Sequence, residues 1–161
     1  MIVSPLDYRY GRDNVKNIFS EETRLNIMLN VEAAIAQAES YYGIIPEEAY
    51  ADIRKVVDNN EVKIGRVKEI EAIINHDVMS IVEGLTEKCT TGKNYVHFGV
   101  TSNDINDSAS AVQMKRAISI IISDLVNLAR LTIFSETMGF LFDGMELDPT
   151  CLSLSKYSES S

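Results

Sequence analysis

Between Ile105 and Leu128 the chain repeats apolar residues at helical spacing: Ile105, Ala109, Val112, Ile118, Ile121, Ile122, Leu125 and Leu128. A helix of that length, apolar around much of its circumference, is poorly suited to stand alone in water. It has to be covered. Either the preceding helices fold back on it in a small monomeric bundle, or long helices from other subunits pack beside it. No strand alternation of comparable length occurs anywhere in the sequence, so the predicted class is all-α.

The segments upstream supply candidates for the rest of the core. Ser20 is placed to cap a helix whose first turn carries Glu21 and Glu22, acids suited to the positive helix end. Leu25, Met28, Leu29, Ala33 and Ala36 then share a face until Gly43 and Pro46 end the helix. A shorter helix follows, with Ala49, Ile53, Val56 and Val57 on one side and Asp58-Asn59-Asn60 closing it. From Val62 the pattern runs through Ile64, Val67, Ile70, Ile73 and Ile74, meets the polar triplet Asn75-His76-Asp77, and resumes with Val78, Ile81, Val82 and Leu85. The triplet predicts a break between two helices. Thr90-Thr91-Gly92-Lys93 is a turn signal.

Composition narrows the function. The chain has 161 residues, 45% of them hydrophobic, enough for one ordinary domain with a core. Its 15 Lys and Arg against 24 Asp and Glu give a formal net charge of -9, which repels a phosphate backbone. Nucleic acid is therefore not an expected partner. Cys89 and Cys151 have neither metal-ligand spacing nor the density of a disulfide framework, so both are expected as free thiols in a reducing compartment. No apolar run reads as long enough for a membrane span, and the start Met-Ile-Val-Ser-Pro-Leu-Asp lacks the regions of a signal peptide. The expected location is the cytoplasm, with no membrane, metal or cofactor.

The most specific stretch is Val96-His97-Phe98-Gly99-Val100-Thr101-Ser102-Asn103-Asp104-Ile105-Asn106-Asp107, a glycine-hinged polar cluster opening into the long helix. Such a junction offers N–H groups, hydroxyls and a positive helix end to an anion. Thr101 to Asp104 also has capping-box spacing, which by itself explains Asn103 and Asp104. Two other places could hold an anion. Arg9-Tyr10 joins a guanidinium to a phenol, although an exposed arginine beside a core tyrosine is the commoner meaning. His76-Asp77 pairs an imidazole with a carboxylate, or else marks a histidine satisfied at a kink. Flanked by Val96 and Phe98, His97 reads as a packed, hydrogen-bonded residue.

Taken in order, Arg9-Tyr10, His76-Asp77 and the His-Phe-Gly-Val-Thr-Ser-Asn-Asp run resemble the amino-terminal part of the adenylosuccinate lyase family, in the fumarase/aspartase superfamily, over residues 4 to about 129. The resemblance implies a β-elimination that splits a carbon-nitrogen bond of a nucleotide substrate and releases fumarate. It implies that Arg9 and Tyr10 grip the nucleotide phosphate, that Asn75, His76 and Asp77 contact substrate, and that Thr101 and Ser102 bind the dicarboxylate end. At position 75 relatives commonly carry arginine, and Gly11-Arg12 departs from the serine-arginine of some of them. The family's acid, a downstream histidine, and its base, a serine on a mobile loop, have no counterpart here, because no histidine follows His97 and Ser153 to Ser161 lack the loop's pattern. No residue is therefore assigned a proton-transfer role.

The implied organisation is an amino-terminal helical domain over 1–104, the start of the central bundle helix of a homotetramer over 105–130, and a divergent tail over 131–161. In that tail helical periodicity fades near Arg130, and the expectation is a truncated or frameshifted product, inactive alone. The competing readings are a helical oligomerisation module without chemistry, and an argininosuccinate lyase or cycloisomerase of the same superfamily.

Overall fold

A computed structural model of the chain describes the backbone of residues 11–143 and the side chains of residues 11–136. Within them lie helices α1 (Asp13–Ile18), α2 (Glu21–Tyr41), α3 (Glu47–Asp58), α4 (Ile64–Ile74), α5 (Asp77–Thr86) and α6 (Ser102–Asp143), with a 3-10 turn at Gly92–Asn94. No strand occurs among the described residues, as the all-α expectation required.

Local chemistry sets the helix ends. The Ser20 hydroxyl accepts from the Thr23 N–H at 3.2 Å, so α2 starts where its capping serine stands. At its far end Gly43 takes φ 70, and the Ile44 N–H reaches back to the Glu39 carbonyl at 2.8 Å while the Gly43 N–H bonds Ser40 at 3.0 Å. These two bonds satisfy carbonyls that the helix would otherwise leave open. Asn60, at φ 51, closes α3 in the same way through bonds from Asn60 to Val57 and from Glu61 to Val56. The break foreseen at Asn75 is present, again with a left-handed residue, at φ 53.

The described residues divide into two compact units at Ile118 and Ser119. In the first, α2 packs mainly on α3, and α4 mainly on α5. The core collects Leu25, Met28, Leu29 and Ala33 from α2, Ile53, Val56 and Val57 from α3, and Val78 and Leu85 from α5, closed by Ile105 and Ala109 of α6. Each large aliphatic side chain removed from water stabilises the fold by about 1.5–3 kcal/mol before its entropy cost. The predicted faces of α2, α3 and α5 are those buried, whereas Ile73, next to the last residue of α4, is 76% exposed and Ile118 of α6 is 52% exposed. Cys89 lies in the core, where burial and the nearby Asp52 and Glu61 charges push its thiol up to about 12, an unreactive state. Cys151 lies outside the described residues.

In the second unit α6 continues to Asp143, past the fading of periodicity near Arg130. Here Ile121, Ile122, Leu125, Leu128, Leu131 and Phe134 are all more than half exposed. The stretch from Ser102 to Glu136 is also long and apolar enough to cross a membrane, judged by length and composition. That corrects the sequence reading, in which isolated charges such as Asp124 and Arg130 hid a window that is apolar on average.

One carboxylate ties the turn after α5 to α3. Asp52 Oδ2 accepts from the Thr90 N–H at 2.6 Å, the Gly92 N–H at 2.9 Å and the Thr90 hydroxyl at 3.2 Å. Partial desolvation opposes ionisation of Asp52, but the donors at Gly92 and Thr90 outweigh it and hold the carboxyl below the usual aspartate range. A side chain at Gly92 would bring its Cβ to 2.7 Å from Ile53 Cγ1 and 2.8 Å from the Ala49 carbonyl. Gly92→Ala should therefore lower stability by about 1–3 kcal/mol, read from the urea midpoint. Asp52→Asn should also destabilise at neutral pH. Because the folded pKa is depressed, the wild-type advantage is present above the ordinary aspartate pKa and should disappear as pH falls through the folded value. An advantage unchanged down to pH 2 would contradict this account.

Candidate functional site

The junction of α4 and α5 presents three polar residues side by side, Asn75, His76 and Asp77, all exposed. On a continuous helix these neighbours would face different ways, but the left-handed turn at Asn75 and the extended His76 (φ -144, ψ 114) break it. His76 caps α5, its Nδ1 accepting from the Met79 N–H at 3.3 Å. That assignment puts the neutral ring's hydrogen on Nε2, free to be offered to an anion. Asp77 Oδ1 stands 3.5 Å from Nδ1. Asp77 also lines a cavity of about 210 Å³ with Glu21, Arg24, Lys68, Glu71 and Ser80, and an ion pair joins Lys68 to Glu21 there.

The second polar cluster opens α6. The Thr101 N–H donates to Asp104 Oδ2 at 2.8 Å, and the Asp104 N–H returns to the Thr101 carbonyl at 3.0 Å. This is the carboxylate half of a capping box. Ser102 is the first residue of the helix, so the cap is Thr101 with Asp104. No hydrogen bond among the described residues uses the hydroxyl of Thr101 or Ser102, which leaves both for a ligand beside the N–H groups of the first turn. No hydrogen bond or ion pair among the described residues joins 75–77 to 101–102, and neither Thr101 nor Ser102 lines the cavity of Asp77. Arg9 and Tyr10 lie outside the described residues.

Polar contacts lock the start of α6 onto α2. The Arg24 guanidinium donates to Asn106 Oδ1 at 2.8 Å and Gln113 Oε1 at 2.9 Å, and the buried Gln113 amide donates to the Ile18 carbonyl at 2.8 Å. His97 has the packed, bonded place foreseen for it. Its Nδ1 lies 2.7 Å from Glu32 Oε1, with side-chain exposures of 13% and 2%. Burial pushes the Glu32 carboxyl up, and the His97 bond and charge partly offset this. Glu39, one residue from the end of that face, is pushed up by burial and then by the Glu32 charge.

Sequence reasoning passed over Glu32, although the signal was there: it stands four residues from both Met28 and Ala36, an acid inside an apolar stripe. A charge on a core face requires a partner. Among the described residues no group of three His, Cys, Asp or Glu side chains is placed to hold a metal ion.

Comparison with known proteins places these segments in context. The pattern of a family described as Lyase matches residues 7–134. Over 128 residues the chain is 45% identical to the adenylosuccinate lyase of Pyrococcus abyssi, covering 80% of this chain and 28% of that one. To the adenylosuccinate lyase of Methanocaldococcus jannaschii it is 44% identical over 129 residues, again 80% and 28% of the two chains. The chain thus spans about 28% of the length of these relatives. Among solved structures, a fumarate lyase from a Mesorhizobium species superposes with a TM-score of 0.64 at 28% identity, over 70% of this chain and 27% of that chain. A β-carboxy-cis,cis-muconate cycloisomerase from Acinetobacter calcoaceticus gives 0.63 at 27% identity, over 68% and 27%.

The cap geometry separates two neighbouring hydroxyl and carboxyl groups. Asp104→Ala should cost about 0.5–1 kcal/mol by removing the acceptor of the Thr101 N–H, whereas Ser102→Ala should change stability by less than about 0.5 kcal/mol. Denaturation of the two variants decides this, and equal losses would return the cap to Ser102. For Glu39 the folded pKa is raised, so its contribution to stability is present below the ordinary glutamate pKa and is lost as pH rises through the folded value. Glu39→Gln should flatten that decline between pH 4.5 and 7 in urea midpoints.

Proposed function

The chain belongs to the lyase family, within the fumarase/aspartase superfamily, and we propose that it is the substrate-holding part of an adenylosuccinate lyase, acting on adenylosuccinate to give AMP and fumarate and on the parallel carboxamide ribonucleotide of purine synthesis. The observation that carries the substrate is the 45% identity with adenylosuccinate lyase through residues that include the Thr101-Ser102 cluster. In this reading residues 1–104 are the substrate-binding helical domain and 105–130 begin the central bundle, with the tail over 131–161 divergent.

Each cluster has a distinct duty. Arg9 and Tyr10 hold the phosphate, a guanidinium fork and a phenol meeting a dianion. The hydroxyls of Thr101 and Ser102, at the positive end of α6, hold a carboxylate of the succinyl group and stabilise charge as the carbon beside it loses a proton. His76 donates from Nε2, with Asp77 beside it and Asn75 setting the break that exposes both. These groups position substrate and stabilise developing charge. Proton transfer belongs to an acid and a base that the resemblance puts downstream of this segment.

The absence, among the described residues, of any bond between the 75–77 and 101–102 clusters is compatible with a site assembled from more than one chain, and the exposed apolar residues of α6 support the helix bundle that would do so. We therefore read α6 as a helix of a cytoplasmic homotetramer rather than a membrane span. A helical module without chemistry would share that face but would bind neither ligand.

Calorimetric titration tests the reading. The 161-residue chain supplied with the remainder of the family polypeptide should bind AMP and fumarate, and Arg9→Lys should weaken AMP at least about tenfold while leaving fumarate within about twofold. Equal losses for both ligands would contradict separate phosphate and dicarboxylate ends. The 161 residues alone should release no measurable fumarate from adenylosuccinate, followed by absorbance, since they hold no assigned acid or base.

A further inference from the structure

Three features that folded chains ordinarily avoid coincide in the segment leading into Thr101. The first is a carboxylate almost wholly removed from water, Glu32, 3% exposed and bonded to His97 at 2.7 Å. The second is His97 itself at φ 60, a left-handed conformation that a side chain with a Cβ adopts rarely. The third is Glu39 Oε2, buried without a hydrogen-bond partner among the described residues. The other oxygen of Glu39 lies under Gly99, which also takes a positive φ of 70 and whose absent Cβ would stand 3.5 Å from Oε1.

A left-handed histidine persists only where its surroundings hold it, and among the described residues the hydrogen bond of that ring is with Glu32. We infer that Glu32, acting through His97, is a positioning residue for the Thr101-Ser102 subsite, and that the charge on Glu39 sets how firmly the segment is seated. The inference rests on the reading of Thr101 and Ser102 as a dicarboxylate subsite. The charged groups facing Glu39 are Glu32 on its own helix and, through Glu32, His97 of the loop. With Glu39 protonated, no second carboxylate charge stands beside the Glu32–His97 bond. Ionisation of Glu39 adds a second negative charge beside that bond, with no hydrogen-bond partner at Oε2 among the described residues, and loosens the hold on the turn. Fumarate, which is itself an anion, then meets a less ordered set of donors.

The test measures the segment and the ligand separately, on the 161-residue chain supplied with the remainder of the family polypeptide. Amide hydrogen exchange across 97–102 should quicken at least about tenfold in both Glu32→Leu and Glu32→Asp, the latter keeping the charge but shortening the reach, while amides of α3 and α4 stay protected. If Glu32→Leu fails to fold, Glu32→Asp alone decides. Unchanged exchange there overturns the positioning role. Fumarate affinity of the unsubstituted protein should fall as pH rises from 5 to 8, and Glu39→Gln should reduce that fall at least about threefold. Superimposable pH profiles overturn the part assigned to Glu39. If the unsubstituted protein binds AMP but no fumarate at any pH, the dicarboxylate reading fails and takes the subsite with it, an outcome distinguished from failure of the positioning role because the exchange measurement needs no ligand.

Discussion

A carboxylate that leaves water must be answered, and at Glu32 the answer comes from a residue far along the chain, His97. Leaving a buried polar group without its hydrogen-bond partner costs on the order of 1–3 kcal/mol. That single contact fixes the loop to α2, and Arg24 does the same for the first turns of α6 through Asn106 and Gln113. Helix α2 is thus the reference against which the Thr101-Ser102 cluster is placed. The apolar core supplies most of the favourable free energy but little direction. Direction comes from these few polar bonds.

Much of the fold was legible because its signals are local. Ser20, Gly43 and the Asn59-Asn60 pair act within one turn of where they stand, and amphipathic spacing reported which faces of α2, α3 and α5 turn inward. The break at Asn75 was legible for the same reason. What escaped were effects that depend on distant residues: the grip of Asp52 on the 90–92 turn, the close approach that only Gly92 permits, and the pairing of Glu32 with His97. Periodicity in α6 correctly marked residues that call for cover. It could not say that Ile105 and Ala109 lie in the core of the first unit and Val112 packs against it, while Ile121 and Leu125 are exposed.

The candidate site follows the same division. Its members were recognisable by type, but their roles depend on which atoms the fold leaves unused. The capping-box spacing of Thr101 and Asp104 is realised as a bond from the Thr101 N–H to the Asp104 carboxylate, with Ser102 as the first helical residue. His76 looked like a ligand group and is also the cap of α5, which fixes its tautomer. Structural duty at one ring nitrogen and chemical duty at the other are compatible. Arg9 and Tyr10 lie outside the described residues and rest on the resemblance alone.

The left-handed residues that close α2, α3 and α4 have a kinetic meaning. Because Gly43, Asn60 and Asn75 stop each helix by bonds to its own last turn, helix length does not wait on tertiary packing. The pairs α2 with α3 and α4 with α5 are neighbours in sequence, so their loops close cheaply and early in the search for the native state. The segment carrying His97 must then find Glu32 across 65 positions, a costlier closure than those within the helix pairs. Assembly of the helical frame and completion of the ligand-facing turn are in this way separated in time, and an encounter with ligand can favour the second without disturbing the first.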